Sequence, residues 1–258
     1  KEVAVAVYLL DRLAIRPGKP QNIEEANTVG LTTLTCDHVT FNGKNVITFD
    51  FAAKDSIIFK EDVEVIPEVY KFLYKRCNKF KTTELFPDVT PQVLNNYLKT
   101  LMPGIKAKMF RTMTASLLMQ EGLKSSNIKT TESLYSKKNY FDMANSKVAL
   151  KLNHKKLIMD ETKISQLENK RKKLEDVLAN ANTDKQKTKA HQNMDENEFK
   201  ITLLKSMASL NTSKTNYIDP RIIISWAKRT DTNIEKLYTP LLLQKFTWAM
   251  ETEMDYNF

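Results

Sequence analysis

Glycine is scarce in this chain, whose five glycines are Gly18, Gly30, Gly43, Gly104 and Gly122. Their wide spacing fits neither the dinucleotide-binding pattern G-x-G-x-x-G nor a Walker A loop. Both of those loops bind phosphate through closely spaced backbone N–H groups. The sequence therefore disfavours the common ways of binding ATP or NAD.

Cysteine and histidine are also few, and long apolar runs are missing. The histidines His38, His154 and His191 are too scattered in sequence to indicate a zinc site, so we expect no obligatory metal. Cys36 and Cys77 do not make a disulfide framework in a chain of 258 residues, so we expect thiols and a reducing compartment. No apolar run approaches the ~20 residues that a membrane-spanning helix needs, so no membrane partner is predicted.

Positive charge is in excess. The chain has 40 Lys and Arg residues against 31 Asp and Glu residues, a formal net charge of +9. Such a surplus favours a polyanionic partner, with nucleic acid the first candidate, ahead of an anionic membrane surface. The chain begins with Lys1 at the start of a predicted helix, so we expect it to be part of a longer protein.

The hydrophobic pattern predicts an α+β chain that is mainly helical, with one small three-stranded antiparallel sheet. Dense apolar residues predict a buried helix over 2–15. The predicted strands follow at 31–40, 46–51 and 56–59. Asn42-Gly43 is a hairpin turn signal, and Lys54-Asp55 is expected in the tight turn between the second and third strands.

From residue 67 onward the pattern is helical. Helices are expected over 105–123 and 131–153, and three further helices begin at a capping residue followed by proline, namely Thr90-Pro91, Asp219-Pro220 and Thr239-Pro240. Apolar residues at a/d-like spacing between 160 and 204 predict an antiparallel coiled-coil hairpin. The predicted domains are a catalytic core subdomain at 1–157, a helical-hairpin linker at 158–205 and a C-terminal domain at 206–258.

The segment 212–221, T-S-K-T-N-Y-I-D-P-R, is the most informative in the chain. Its pattern S-K-x-N-Y-x-D-P-R resembles the active-site sequence of eukaryotic nuclear type IB DNA topoisomerases. In that family the tyrosine, here Tyr217, attacks a DNA phosphodiester. The resemblance implies the helical catalytic domain with a small sheet that is typical of DNA breaking-rejoining enzymes.

Four further catalytic residues of this family have matches here, in the family's order. Arg16, in L-A-I-R-P-G, and Lys54, in F-D-F-A-A-K-D-S, match the first arginine and the hairpin lysine. Arg111, in K-M-F-R-T, and His154, in L-N-H-K, match the second arginine and the histidine. The resemblance covers essentially the whole chain, and it implies a catalytic role for each of these residues.

The resemblance also implies an activity and partners. We expect ATP-independent relaxation of supercoiled duplex DNA through a 3′-phosphotyrosyl intermediate, without a cofactor or an obligatory metal. DNA contacts are implied for Asp55, Asn216, Lys214 and Thr212. The expected partners are double-stranded DNA and an N-terminal cap and core region of the same protein, and the expected location is the nucleus.

Two other functions share part of this pattern. A tyrosine recombinase uses similar Arg, Lys, His and Tyr chemistry, although the charged hairpin between His154 and Tyr217 and the S-K-x-N-Y sequence disfavour it. A non-catalytic DNA-binding or scaffold protein would also suit the basic charge and the hairpin. Such a protein has no need of Tyr217.

Overall fold

The computed structural model describes residues 1–18, 28–79, 83–125 and 128–258. These ranges are mostly helical and contain one three-stranded antiparallel sheet, which confirms the predicted fold class. The chain folds as two compact units, Lys1–Leu117 with Lys151–Asn153, and Leu118–Leu150 with His154–Phe258. Within the described ranges, no helix is long and apolar enough to cross a membrane.

The helices of the described ranges are α1 (Glu2–Leu13), α2 (Pro67–Lys79), α3 (Pro91–Leu101), α4 (Ala107–Lys124), α5 (Leu134–Lys151), α6 (Glu161–Ala179), α7 (Asp184–Lys205), α8 (Leu210–Asn216), α9 (Pro220–Arg229) and α10 (Pro240–Lys245). The three predicted proline-led starts are confirmed. Thr90, Asp219 and Thr239 each accept a backbone N–H with their side-chain oxygen at a helix start. These caps are specified within four residues, which is why sequence alone finds them.

The first unit packs α1 and the sheet into one hydrophobic core. The strands are β1 (Val39–Phe41), β2 (Val46–Ala52) and β3 (Ile58–Glu64), in the order β1-β2-β3. Alternate residues of β2 are buried, so one face of the sheet points into the core. Helix α1 ends at Leu13, two residues earlier than predicted, because Ala14 adopts a left-handed conformation with φ 50°.

The predicted first strand over 31–40 is mostly wrong. Short 3₁₀ turns occupy Leu31–Thr33 and Cys36–His38, and only Val39–Phe41 forms a strand. Side-chain hydrogen bonds explain the difference, since the Gly30 N–H donates to Thr33 Oγ1 at 3.0 Å and the Thr35 N–H donates to His38 Nδ1 at 3.1 Å. Such local bonds compete with a strand ladder.

The expectation of two thiols is also wrong. Cys36 and Cys77 form a disulfide, with their Cα atoms 5.4 Å apart. The two cysteines are 41 residues apart in sequence, and the tertiary structure of the first unit brings them together. Their pairing removes the basis on which the sequence favoured a reducing compartment.

In the second unit, α6 and α7 form a hairpin. Lys205 Nζ lies 2.8 Å from Glu168 Oε1, and Arg171 Nη1 lies 3.3 Å from Glu198 Oε2. Residue numbers therefore rise along one helix as they fall along the other, so the pair is antiparallel, as predicted. The buried Asn197 amide donates to the Leu167 carbonyl at 2.8 Å and fixes the register. Coiled-coil packing along the seam stays a prediction.

Candidate active site

The five residues matched to catalysis fall in both units. Arg16, Lys54 and Arg111 belong to the first unit, and His154 and Tyr217 belong to the second. Each group is described within its own unit.

Arg16 follows the left-handed end of α1, and its main chain is tightly held. The Leu31 N–H donates to the Arg16 carbonyl at 2.9 Å. Gly30 packs against the same segment so closely that a Cβ placed on it would lie 2.4 Å from Gly18 Cα and 3.0 Å from the Arg16 oxygen. Glycine is therefore required at position 30 for the observed path of the arginine segment.

Arg111 lies on α4 and is buried, with 3% of its surface exposed. Its Nη1 donates to the Ala14 carbonyl, and its Nη2 donates to the Leu152 carbonyl at 3.0 Å. Ala14 is two residues from Arg16, and Leu152 is two residues from His154 in the chain. The guanidinium thus fixes the backbone beside two other candidate residues, and these bonds offset the cost of burying its charge.

Lys54 occupies the turn between β2 and β3, as predicted from sequence. Asp55 adopts a left-handed conformation there, with φ 62°. Lys54 Nζ lies 2.8 Å from both carboxylate oxygens of Asp55. The two side chains are 54% and 62% exposed, so water screens this ion pair strongly and it can be exchanged for another partner.

His154 follows α5 and is held through its backbone. Its N–H donates to the Ala149 carbonyl at 2.7 Å, and its carbonyl accepts from the Ser209 N–H at 2.8 Å. The imidazole is 7% exposed. Its Nδ1 lies 2.8 Å from Ser213 Oγ, on helix α8, which ends next to Tyr217.

Tyr217 stands at the C-terminal end of α8. Its N–H donates to the Ser213 carbonyl at 2.9 Å, and its side chain is 7% exposed. The Tyr217 ring lies 5.3 Å from the His154 ring between centroids, with the planes tilted by 36°. The structure therefore brings these two predicted residues together, although 63 positions separate them in the sequence.

The residues implied in DNA contact differ in exposure. Asn216 is exposed, and its amide donates to the half-buried Thr212 carbonyl at 3.4 Å. Lys214 Nζ donates to the Leu237 carbonyl at 3.2 Å. Burial lowers the pKa of Lys214 below its ordinary value, and burial raises the pKa of nearby Asp142 above its own.

Sequence reasoning gave no role to Ser213, although this residue stands inside the S-K-x-N-Y segment. The missed signal is its position four residues before Tyr217, one turn before the end of a short helix. Its contact with His154 joins residues 59 positions apart, so no local pattern reveals it. Among the residues that the structure describes, no group of three or more His, Cys, Asp or Glu side chains could hold a metal ion.

The chain matches two protein-family models that together span its full length. Residues 1–192 match the family model described as eukaryotic DNA topoisomerase I, catalytic core. Residues 181–258 match a model described as C-terminal topoisomerase domain. Together the two matches include every residue discussed above.

Curated relatives align along the whole chain. DNA topoisomerase 1 alpha of Arabidopsis thaliana is 34% identical over 100% of this chain and 32% of that protein. DNA topoisomerase 1 of Drosophila melanogaster is 34% identical over 100% of this chain and 28% of that protein. DNA topoisomerase 1 of Homo sapiens is 33% identical over 100% of this chain and 38% of that protein. The chain thus spans about a third of the length of these relatives. On the match to the catalytic-core model, the chain belongs to the eukaryotic DNA topoisomerase I family.

Proposed function

We propose that this chain carries the catalytic residues of a type IB DNA topoisomerase. The protein would relax supercoiled duplex DNA by cutting one strand, holding it through a 3′-phosphotyrosyl bond and rejoining it. The observation that carries the proposal is the pairing of Tyr217 with His154 in the second unit of a chain from this family.

Tyr217 is the proposed nucleophile. Its phenolic oxygen attacks the scissile phosphorus, a P–O(Tyr) bond forms, and the bond from phosphorus to the 5′ oxygen breaks. The phosphotyrosyl ester keeps the energy of the phosphodiester, so the 5′ hydroxyl can attack it and reverse the step. ATP is therefore not needed for resealing, and while the strand is open the free end can rotate.

Arg16, Arg111 and His154 are the proposed donors to the non-bridging phosphate oxygens. Negative charge grows on these oxygens in the transition state, and charged or strongly polarised N–H donors stabilise it. A guanidinium has five N–H donors, so the bonds from Arg111 to two carbonyls are compatible with further donation to phosphate. Three such donors give a reaction that needs no obligatory metal ion.

Lys54 is the proposed acid for the leaving 5′ alkoxide. Its position at the tip of the hairpin allows it to reach a groove of the DNA, and its exposed pair with Asp55 supplies a place for the ammonium when DNA is absent. We assign Asp55, Asn216 and Thr212 to contacts near the cleavage site. For Lys214, a DNA contact requires the ammonium to exchange the Leu237 carbonyl for a phosphate.

The proposed partners follow from charge and family. The net charge of +9 suits binding to the phosphates of double-stranded DNA. The family resemblance adds an N-terminal cap and core region of the same protein, which would close around the duplex. Because chromosomal DNA is the proposed substrate, the nucleus is the proposed location.

The proposal is tested with a suicide duplex whose cleaved end loses a short oligonucleotide, so that resealing fails. The chain is incubated with this DNA in EDTA without ATP, with and without the N-terminal region, and separated on a denaturing gel. We expect a covalent adduct from DNA labelled on the 3′-phosphate side of the cut. Tyr217→Phe should abolish it, and the control Tyr140→Phe, at an exposed position of α5, should keep it.

Binding of the same duplex is measured in parallel. Tyr217→Phe should bind as the wild type does, because a phenolic hydroxyl adds little to phosphate binding. DNA binding without an adduct in any condition would refute the enzyme proposal and support a binding or scaffold protein. An adduct that forms only at one defined sequence and leads to strand exchange between duplexes would point to a recombinase.

A further inference from the structure

Ser213 lies between the two chemical groups of the second unit. Its Oγ is 2.8 Å from His154 Nδ1, and its side chain has no exposed surface. Its carbonyl accepts the N–H groups of Tyr217 at 2.9 Å and Ile218 at 3.0 Å. One buried residue therefore contacts both the imidazole and the backbone of the proposed nucleophile.

The backbone on either side leaves the imidazole with little freedom except rotation of the ring. The Ser209 N–H donates to the His154 carbonyl, and the Lys156 N–H donates to the Met207 carbonyl, both at 2.8 Å. These bonds pair residues 154–156 with 207–209, the segment that enters α8. With the backbone fixed, a bond to one ring nitrogen decides where the other nitrogen points.

The chemistry of the imidazole then limits the role of the hydroxyl. A neutral imidazole has one N–H donor and one acceptor nitrogen. If the ring donates from Nε2 to a phosphate oxygen, Nδ1 has to accept a hydrogen bond. The serine hydroxyl can supply that bond, and it can instead accept from Nδ1 when the ring is charged.

We propose that Ser213 is a positioning residue that holds His154 as the Nε2–H tautomer and aims Nε2 at the scissile phosphate. This inference rests on the proposed function for its catalytic meaning. The contact between Oγ and Nδ1 supplies the geometry, and the choice of Nε2–H over Nδ1–H follows from the proposed donation to phosphate. Within the second unit, the titratable side chain in ring contact with His154 is that of Tyr217, at 5.3 Å between centroids.

The tautomer is read directly by NMR of the chain labelled with ¹⁵N-histidine. The three histidines give three sets of ring signals, and a His154→Gln variant identifies those of His154. We expect a protonated Nε2 and a hydrogen-bonded, unprotonated Nδ1 at about pH 8. Ser213→Ala should move the ¹⁵N chemical shifts of both ring nitrogens toward the values of a mixture of tautomers. Unchanged shifts, or an Nδ1–H tautomer in the wild type, would overturn the proposal whatever the activity.

The kinetic test is the rate of adduct formation on the suicide duplex in a single turnover. Partners that orient a histidine typically contribute 10–100-fold, so Ser213→Ala should be about 10-fold slower or more at about pH 8. In a His154→Gln background, Ser213→Ala should cause little further loss of rate, because the ring that the hydroxyl positions is absent. A deficit of the same size in both backgrounds would contradict the proposal.

Two further variants separate positioning from folding. Ser225 is a second fully buried serine of this unit, and its Oγ donates to the Met254 carbonyl at 2.7 Å. Ser225→Ala should leave the His154 signals unchanged, and any loss of rate that it causes should be the same in the wild-type and His154→Gln backgrounds. Ser213→Thr keeps the hydroxyl and should restore the Nε2–H signal. If the wild type forms no adduct, the proposed function fails, and the NMR result still decides the role of Ser213.

Discussion

Gly30 gives a sharp test of how the fold positions Arg16. A Cβ at this position would lie 2.4 Å from Gly18 Cα, which is about 1 Å inside the 3.4 Å of ordinary contact. The contacted atoms are backbone, so they cannot rotate away as a side chain would. Gly30→Ala should therefore displace the segment that carries Arg16 by roughly an ångström.

The expected consequence is a large loss of rate with a smaller loss of stability. A displacement of about 1 Å in a group that orients the reaction costs on the order of 100-fold. Overpacking a closed site typically costs about 1–3 kcal/mol of unfolding free energy. Adduct formation in a single turnover measures the rate, thermal unfolding measures the stability, and DNA binding should change little.

Two comparisons show whether the loss of rate in Gly30→Ala comes from displacement of Arg16. Gly43→Ala is the control for lost stability alone, because φ 76° at Gly43 strains an alanine there while its Cβ would meet nothing within 4 Å. It should lower the free energy of unfolding and keep the wild-type rate. In an Arg16→Ala background, Gly30→Ala should cause little further loss of rate, since the group that it displaces is already gone. A wild-type rate in folded Gly30→Ala, or full additivity with Arg16→Ala, would show that Gly30 does not act by positioning Arg16.

Three further outcomes follow from buried groups. Arg111→Lys should lower the free energy of unfolding by about 1–3 kcal/mol in chemical denaturation, because one ammonium cannot reach both carbonyls that the guanidinium binds. An unchanged free energy of unfolding would contradict this prediction. Reduction of Cys36–Cys77, which closes a loop across 41 residues, should destabilise the first unit by up to about 4 kcal/mol, and alkylation of both cysteines in the unreduced protein would show that the bond is not formed. Burial raises the pKa of Tyr238, whose hydroxyl has no hydrogen-bond partner among the described residues. The unfolded chain therefore loses this proton at a lower pH than the folded chain, and the free energy of unfolding should fall as pH rises above about 10. Tyr238→Phe should weaken that alkaline loss and leave stability at pH 7 equal or higher; an unchanged alkaline profile would argue against it.

Local signals predicted much of the fold. The caps at Thr90, Asp219 and Thr239 depend on a few neighbouring residues, so their sequence patterns were sufficient. The turn at Lys54 was predicted from the strands on either side of it, although β3 begins at Ile58 and continues to Glu64, beyond the predicted 56–59. The strand prediction failed at Thr33 and before His38, where side-chain hydrogen bonds take the place of strand pairing. β propensity does not account for such local hydrogen bonds.

The sequence predicted which residues belong to the candidate site, but it did not predict how they are arranged in space. Motif resemblance found Tyr217 and His154, and the structure supplied the 5.3 Å separation of their rings. The contact of Ser213 with His154 and the Cys36–Cys77 bond join residues that are distant in the chain. Such pairs depend on tertiary packing, which no short window of sequence contains.

The proposed reaction requires Tyr217 to become covalently bound to the 3′ end of a cut strand. The direct measurement is tandem mass spectrometry of the protease-digested adduct formed on the suicide duplex. We expect a nucleotide on the phenolic oxygen of Tyr217, joined through the 3′ phosphate. A nucleotide on another residue, or one joined through a 5′ phosphate, would contradict it.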